Sequence, residues 1–381
     1  MIYLDHAAAT PVDKRVFAAM EPYFIEQFGN PSSLYKPGRV AKAAVDEARQ
    51  KLAKLMGASS RNVIFTGGGT ESCNLALFGV VEASTLPVKH IIISKIEHDA
   101  VLAAAYKLEA QGVEVTYLDV DADGLIDLVK LEASIKPNTV LVSIGFANNE
   151  IGVVQDLVAL GGVCRRHGVL LHTDACQAAP YYEINLRDLP VDLVSINASK
   201  IYGPKGIGAL VIGNSDVDLL PQIMGGAQEF GLRSGTENVP GIVGLASAYE
   251  LACAERVGNV AKLTGWRDYL IRGLVDDGLG IKLTGSREHR LPNHVSVIIG
   301  DVEGESLLMR LEQEGICVST GAACSSGSLE VSHVLEAIGV SENDGYSALR
   351  LTLGELNNEK QVEEALGKIK VVIEALRGMV V

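Results

Sequence analysis

The chain has 381 residues, 48% of them hydrophobic but only 5% aromatic, and a formal net charge of −14. That acidity repels phosphate backbones, and a lone Trp266 offers little for bases to stack on, so a nucleic-acid partner is not expected. No apolar run approaches the ~20 residues of a membrane span, and Met1–His6 shows neither a basic nor an apolar leader; a cytoplasmic protein of two folding units is expected.

Six cysteines (Cys73, Cys164, Cys176, Cys253, Cys317 and Cys324) are scattered without a C-x-x-C pair or a Cys/His cluster. That usage suits a reduced, intracellular chain and neither a disulfide scaffold nor an intrinsic metal site.

Along the chain, short branched apolar runs alternate with helical patterns. Val63-Ile64-Phe65, Ile91-Ile92-Ile93, Val140 to Ile144 and Val169-Leu170-Leu171 read as strands buried on both faces of a mostly parallel sheet. Between them Arg39 to Met56, Val101 to Gln111 and Asp156 to Arg166 read as helices, each closed by a glycine: Gly57, Gly112 and Gly168. The fold class is α/β with helices flanking the sheet. Leu251 to Asp277 reads as a helix leading out of this unit. Beyond it, strands at Asn293 to Ile299, Ile316 to Ser319 and Ala348 to Leu353, with helices at Gly304 to Glu314 and Asn358 to Leu376, suggest a smaller α+β unit. The boundaries read as a large domain over 14–255 and a small one over 1–13 and 256–381.

Ligands bind such sheets beyond the carboxyl ends of the strands. After the first strand comes Thr66-Gly67-Gly68-Gly69-Thr70-Glu71-Ser72, a glycine-rich entry to a helix that suits a phosphate and lacks the Gly-Lys-Ser/Thr of a P-loop. After the second comes Glu97-His98, an imidazole able to stack on a flat ring or move protons. Asn148-Asn149-Glu150 follows the third. His172-Thr173-Asp174-Ala175-Cys176-Gln177 follows the fourth, and a carboxylate there needs a cationic partner such as a protonated pyridine nitrogen. Lys200 follows Val191-Asp192-Leu193-Val194, where desolvation lowers an ammonium pKa and prepares an amine for carbonyl chemistry. Cys324 stands among ten residues (Ser319 to Ser328) without one large apolar side chain, which suits a thiol that moves more than one that packs.

On these motifs, with Tyr3 to Pro11, Gly29-Asn30-Pro31-Ser32-Ser33, Lys200 to Gly206, Arg233 to Val239 and Ala322 to Ser326, the chain resembles the class V aminotransferase-like family of pyridoxal phosphate enzymes. Within it, the resemblance is to the NifS/IscS-type cysteine desulfurases, nearly end to end. The resemblance implies a fold type I homodimer using pyridoxal 5′-phosphate. By position Lys200 would hold the cofactor, Asp174 would pair with the ring nitrogen and His98 would stack on the ring. Asn149 and Gln177 would contact ring substituents, and Gly69, Thr70, Asn197 and Ser199 would bind the phosphate. Thr236 would reach the phosphate of the partner subunit. Arg350, with Asn149, would bind the carboxylate-bearing substrate. Cys324 would take sulfur from L-cysteine as a persulfide and pass it to an iron–sulfur scaffold or another acceptor, meeting a cluster only during transfer. Alternatives are a selenocysteine lyase or aminotransferase of the same family, or a non-catalytic assembly partner. Three positions depart from the family pattern: Asn197-Ala198-Ser199 replaces the usual Ser-x-His, Tyr35 stands where histidine is common, and Cys176 where threonine is usual.

Overall fold

The structure is a computed structural model that describes residues 1–213, 217–320 and 331–378. Cys324 lies outside the described residues. Strand β1 (Ile2–Tyr3) is followed by β2 (Val63–Thr66), β3 (His90–Ser94), β4 (Glu114–Leu118), β5 (Thr139–Ser143), β6 (Leu170–Asp174), β7 (Leu193–Asn197) and β8 (Gly208–Ile212). Strands β2 to β8 form one sheet in the order β2-β8-β7-β6-β5-β3-β4. The run β4-β3-β5-β6-β7 is parallel throughout, with its carboxyl ends on one side. Strand β8 is antiparallel to both its neighbours. Only Ala198–Ile207 separates β7 from β8, too short for a helical crossover, so the chain turns straight back.

The strand residues divide by alternation, as the pleat requires. Ile91, Ile93, Leu141, Leu193 and Leu210 bury against one face, with the helices Gly69–Ala83 and Asp99–Ala110. Ile92, Val142, Leu171, Val194 and Ala209 bury against the other, with the helices Lys36–Leu55, Leu157–His167 and Val239–Ile271. Ile91, Ile92 and Ile93 are completely buried, and each contributes about 1.5–3 kcal/mol relative to an exposed position.

The remaining strands are β9 (Ile281–Leu283), β10 (His294–Ile299), β11 (Ile316–Cys317) and β12 (Ala348–Thr352). They make an antiparallel sheet β12-β10-β9, and β11 pairs in parallel with β1. The N-terminal strand thus joins the later part of the chain, as its sequence position alone did not require. A separate hydrophobic cluster gathers here, with Ile2, Leu4, Val297, Leu349, Leu351 and Ile369. The helix expected to begin at Leu251 begins instead at Val239, with Asn238 accepting from the Gly241 N–H and Pro240 in the first turn. Proline there starts a helix because its missing N–H has no intrahelical partner anyway.

Candidate functional site

A cavity of about 400 Å3 opens at the carboxyl ends of the parallel strands, and residues from each of the five expected strand ends line it. Its walls include Gly69, Thr70, His98, Asn149, Asp174, Gln177, Asn197, Lys200 and Arg350. Of the described residues expected at the site, only Ser199 and Thr236 do not line it. Ser199 sits in the single 3-10 turn Ala198–Lys200; its N–H donates to Asn197 Oδ1 at 3.2 Å and its carbonyl accepts the Thr10 N–H at 3.0 Å. Thr236 is exposed on the stretch that precedes Val239.

The glycine-rich turn is built for close approach. Gly68 has φ +152°, a conformation that side chains rarely adopt, and turns the chain from β2 into the helix Gly69–Ala83. A Cβ on Gly69 would lie 2.7 Å from Cys176 Sγ and 3.4 Å from Asn197 Cβ. The cradle is therefore closed by Cys176, just past β6, and by Asn197 at the end of β7, and it lies at a helix N-terminus that lines the cavity. Two ion pairs brace it from behind. Glu71 accepts the Gly67 N–H at 2.7 Å and pairs with Arg233 at 2.8 Å. Glu229 accepts the Phe65 N–H at 2.9 Å and forms a buried bidentate pair with Arg49 at 2.6 and 2.7 Å.

Asp174 ends β6 and accepts the Cys176 N–H at 2.9 Å. Beneath it the buried His172 is held between Ser143 Oγ at 2.8 Å and Ser195 Oγ at 2.9 Å, and burial pushes its pKa down to about 4. A neutral imidazole below adds no positive charge to the strand end. Lys200 Nζ donates to the carbonyls of Ala7 at 2.8 Å and Ala8 at 2.6 Å. Gln177 donates to the same Ala7 carbonyl at 3.0 Å. The N-terminal segment thus roofs the lysine. His98 caps the helix Asp99–Ala110 by accepting the Ala100 N–H on Nδ1 at 3.0 Å, so a neutral ring carries its proton on Nε2.

Two participants escaped the sequence reading. Asp5 pairs with Arg350 at 2.8 Å, and Arg350 also donates to the Asn149 carbonyl at 3.0 Å. Glu97 lies buried in the wall, accepting from Ser94 Oγ at 2.5 Å and from the Gly145 N–H at 2.9 and 3.0 Å. Burial pushes its carboxyl up to about 7 despite these donors. The Glu97-His98 pair drew attention for its histidine alone. A Ser-x-x-Glu spacing at the end of a strand was the available signal.

Cys176 lines the cavity, but burial and then the Asp174 charge push its thiol well above the ordinary range. A thiol held protonated in this way packs and does not attack.

Residues 2–365 match the family described as aminotransferase class-V. The chain belongs to that family. The chain is 46% identical over 376 residues to a protein named cysteine desulfurase IscS from Dictyoglomus turgidum, across 99% of this chain and 95% of the relative. It is also 46% identical over 378 residues to a cysteine desulfurase IscS from Methanosarcina thermophila, across 99% and 93%. Among solved structures, a NifS-like protein superposes with a TM-score of 0.92 at 37% identity, covering 98% of this chain and 99% of that one. SspA, solved in complex with cysteine, superposes with a TM-score of 0.82 at 35% identity, covering 93% and 99%. The cofactor of this family member is pyridoxal 5′-phosphate. The donor set fits that group: a cradle with no Cβ and a helix N-terminus for phosphate, a carboxylate for a protonated ring nitrogen, and an amine between them for the aldehyde. No helix among the described residues is long and apolar enough to cross a membrane.

Proposed function

We propose that the protein is a cysteine desulfurase that takes sulfur from L-cysteine onto Cys324 and releases L-alanine. The convergence of Lys200, Asp174, His98 and the Gly69-Thr70 cradle on one cavity that also holds Arg350 carries this reading, together with the names of the relatives. When bound, pyridoxal phosphate supplies the electron sink through which the substrate α-carbon loses its proton.

The chain's own groups do the rest. Lys200 anchors the cofactor and Asp174 keeps the ring nitrogen protonated. His98, which lines the cavity, would hold the ring and could move a proton at Nε2. Asn149 and Gln177 hold ring substituents, while Gly69, Thr70, Asn197 and Ser199 form the phosphate side. Arg350 orients the substrate carboxylate with a planar pair of N–H donors, on a rigid strand beside Asn149. Cys324 thiolate then attacks the substrate sulfur. An S–S bond forms and the Cβ–S bond breaks with its electron pair left on Cβ, which takes up a proton. The products are L-alanine and a persulfide on Cys324, so no external oxidant or reductant enters.

The proposed protein is a cytoplasmic homodimer with a large unit over 14–255 and a small unit over 1–13 and 256–381. Phe24, Ile25, Phe28, Leu34 and Tyr35, all exposed within one short stretch, support a partner surface. Thr236, exposed and outside its own cavity, supports a role at the partner subunit's phosphate. The persulfide passes to an iron–sulfur scaffold or another sulfur acceptor.

The test is sulfide and alanine release from L-cysteine by purified protein, with and without Cys324→Ala. We expect equimolar alanine and sulfide in the presence of a reductant, and loss of both in the variant with the cofactor still bound. Full activity in Cys324→Ala removes that thiol from the mechanism. Faster turnover of L-selenocysteine, or of a keto acid by transamination, reassigns the substrate.

A further inference from the structure

Strand β10 carries a buried imidazole that no step of the proposed reaction uses. His294 is completely buried, and it shares a face of the β12-β10-β9 sheet with Arg350, because Ser296 lies opposite Arg350 and His294 comes two residues earlier. Both side chains reach the carbonyl of Asn149, His294 Nε2 at 3.1 Å and Arg350 Nη1 at 3.0 Å. A carbonyl only accepts, so the His294 proton is on Nε2. Burial, and then the charges of Arg290 and Arg350, hold the ring pKa well below its ordinary value. The ring is thus a neutral donor beside two guanidiniums. Its Nδ1 has no hydrogen-bond partner among the described residues. An unpaired buried acceptor is a cost that an apolar side chain of similar shape would avoid, and the bond to Asn149 is what the imidazole supplies against it.

The turn that follows Asn149 is shaped around this ring. Gly152 has φ +73°, and a Cβ there would lie 2.5 Å from His294 Cγ. Asn148 Oδ1 accepts the N–H groups of Glu150 and Ile151 at 2.8 and 2.9 Å, and Arg290 Nη1 donates to the Ile151 carbonyl at 2.7 Å. Arg350 Nη2, for its part, pairs with Asp5 at 2.8 Å.

We propose that His294 is a positioning residue for substrate binding: by sharing the Asn149 carbonyl with Arg350, it fixes the plane of the guanidinium that receives the substrate carboxylate. This rests on the proposed role of Arg350 as the partner of that carboxylate. Asn149 and Arg350 line the cavity together, so a shift of the Asn149 peptide displaces both groups that hold the substrate. Recognition of a carboxylate by two parallel N–H donors depends on their orientation. Without His294 the carbonyl keeps one donor, Arg350, so the fold loses little while the guanidinium loses its reference. The loss of one neutral hydrogen bond corresponds to about 5- to 10-fold in binding.

The test uses full-length holoenzyme with His294→Phe, His294→Gln, Arg350→Lys and the double variant His294→Phe with Arg350→Lys. Cofactor content is read by visible absorbance and the urea midpoint by circular dichroism. Binding is read by calorimetric titration with β-mercaptopropionate, which has the substrate's carboxylate and thiol but no amine, and with its amide as the uncharged control. We expect His294→Phe to keep its cofactor and urea midpoint and to bind the carboxylate about 5- to 10-fold more weakly, with amide binding unchanged. Cysteine KM should rise by a similar factor with kcat within about twofold. His294→Gln, which keeps an N–H donor, should recover most of the loss, and His294→Phe should add nothing in the Arg350→Lys background. Unchanged carboxylate binding in His294→Phe, beside weakened binding in Arg350→Lys, overturns the proposal alone. Equal weakening toward carboxylate and amide, or loss of cofactor or of the folded state, gives the ring a structural role and overturns it as well. If Arg350→Lys binds the carboxylate as wild type does, the reading of Arg350 fails and takes the proposal with it.

Discussion

Gly69→Ala gives a direct test of how the phosphate cradle is built. The φ of Gly69 is not in the left-handed region, so alanine is compatible with the backbone. What opposes it is Cys176, whose Sγ would lie 2.7 Å from the new methyl. Optimal carbon contacts lie at roughly 3.5–4.0 Å, so the overlap is about 1 Å and either the sulfur or the turn must move. Overpacking of this kind costs about 1–3 kcal/mol. Expressed through the position of the Gly69 and Thr70 N–H groups, this weakens cofactor binding about 5- to 150-fold. The assay is titration of apoenzyme with pyridoxal phosphate, followed by visible absorbance, for wild type, Gly69→Ala, Cys176→Ala and the double variant. Cys176→Ala removes the clashing atom, so the double variant should bind more tightly than Gly69→Ala alone, a coupling that distant sites would not show. Binding by Gly69→Ala within twofold of wild type, or no recovery in the double variant, would refute the reasoning.

Three further expectations can be checked alongside it. Glu229→Ala strands the buried Arg49 guanidinium, so it should lower stability by about 3–5 kcal/mol in urea unfolding; a shift below about 1 kcal/mol would contradict it. The raised Glu97 carboxyl keeps its proton in the folded state after the unfolded chain has lost it, between 4.5 and about 7. Its contribution to stability is thus present at low pH and lost as pH rises through that window, by about 3 kcal/mol. Glu97→Gln lacks this slope, and parallel stability curves for the two proteins would show that the carboxyl is not desolvated. Arg350→Lys cannot offer two parallel N–H donors while holding Asp5, so cysteine KM should rise about tenfold or more with cofactor content unchanged; an unchanged KM places the carboxylate elsewhere.

Much of the site was legible because buried parallel strands end abruptly in polar residues, and residues in the turns past the apolar runs line the cavity. That logic found His98, Asn149, Asp174 and Lys200. Proximity in sequence says nothing about Asp5 and Arg350, which meet only because β1 and β12 belong to the same part of the fold. Glu97 was overlooked for a related reason, since its pKa is set by burial and by donors from Ser94 at the end of β3 and Gly145 just past β5. Glycines at Gly241 and Gly244 and the proline at Pro240 masked the start of the helix at Val239. Gly244 is there because a Cβ would lie 2.6 Å from Met20 Sδ and 2.9 Å from Pro204 Cδ, a requirement of helix contact that periodicity does not record. Strand β8 reverses direction because its linker is short, and a reading tuned to crossovers passes over it.

The helix Val239–Ile271 has a consequence for how the molecule comes apart. At 33 residues it is about 50 Å long, and it supplies Leu245 and Tyr249 to the core beneath the main sheet and Leu263 and Leu270 to the cluster around β10 and β12. Neither core can melt without fraying a rod on which the other depends. Calorimetry should therefore record one cooperative endotherm rather than two, and limited proteolysis should not release the C-terminal part as a folded fragment.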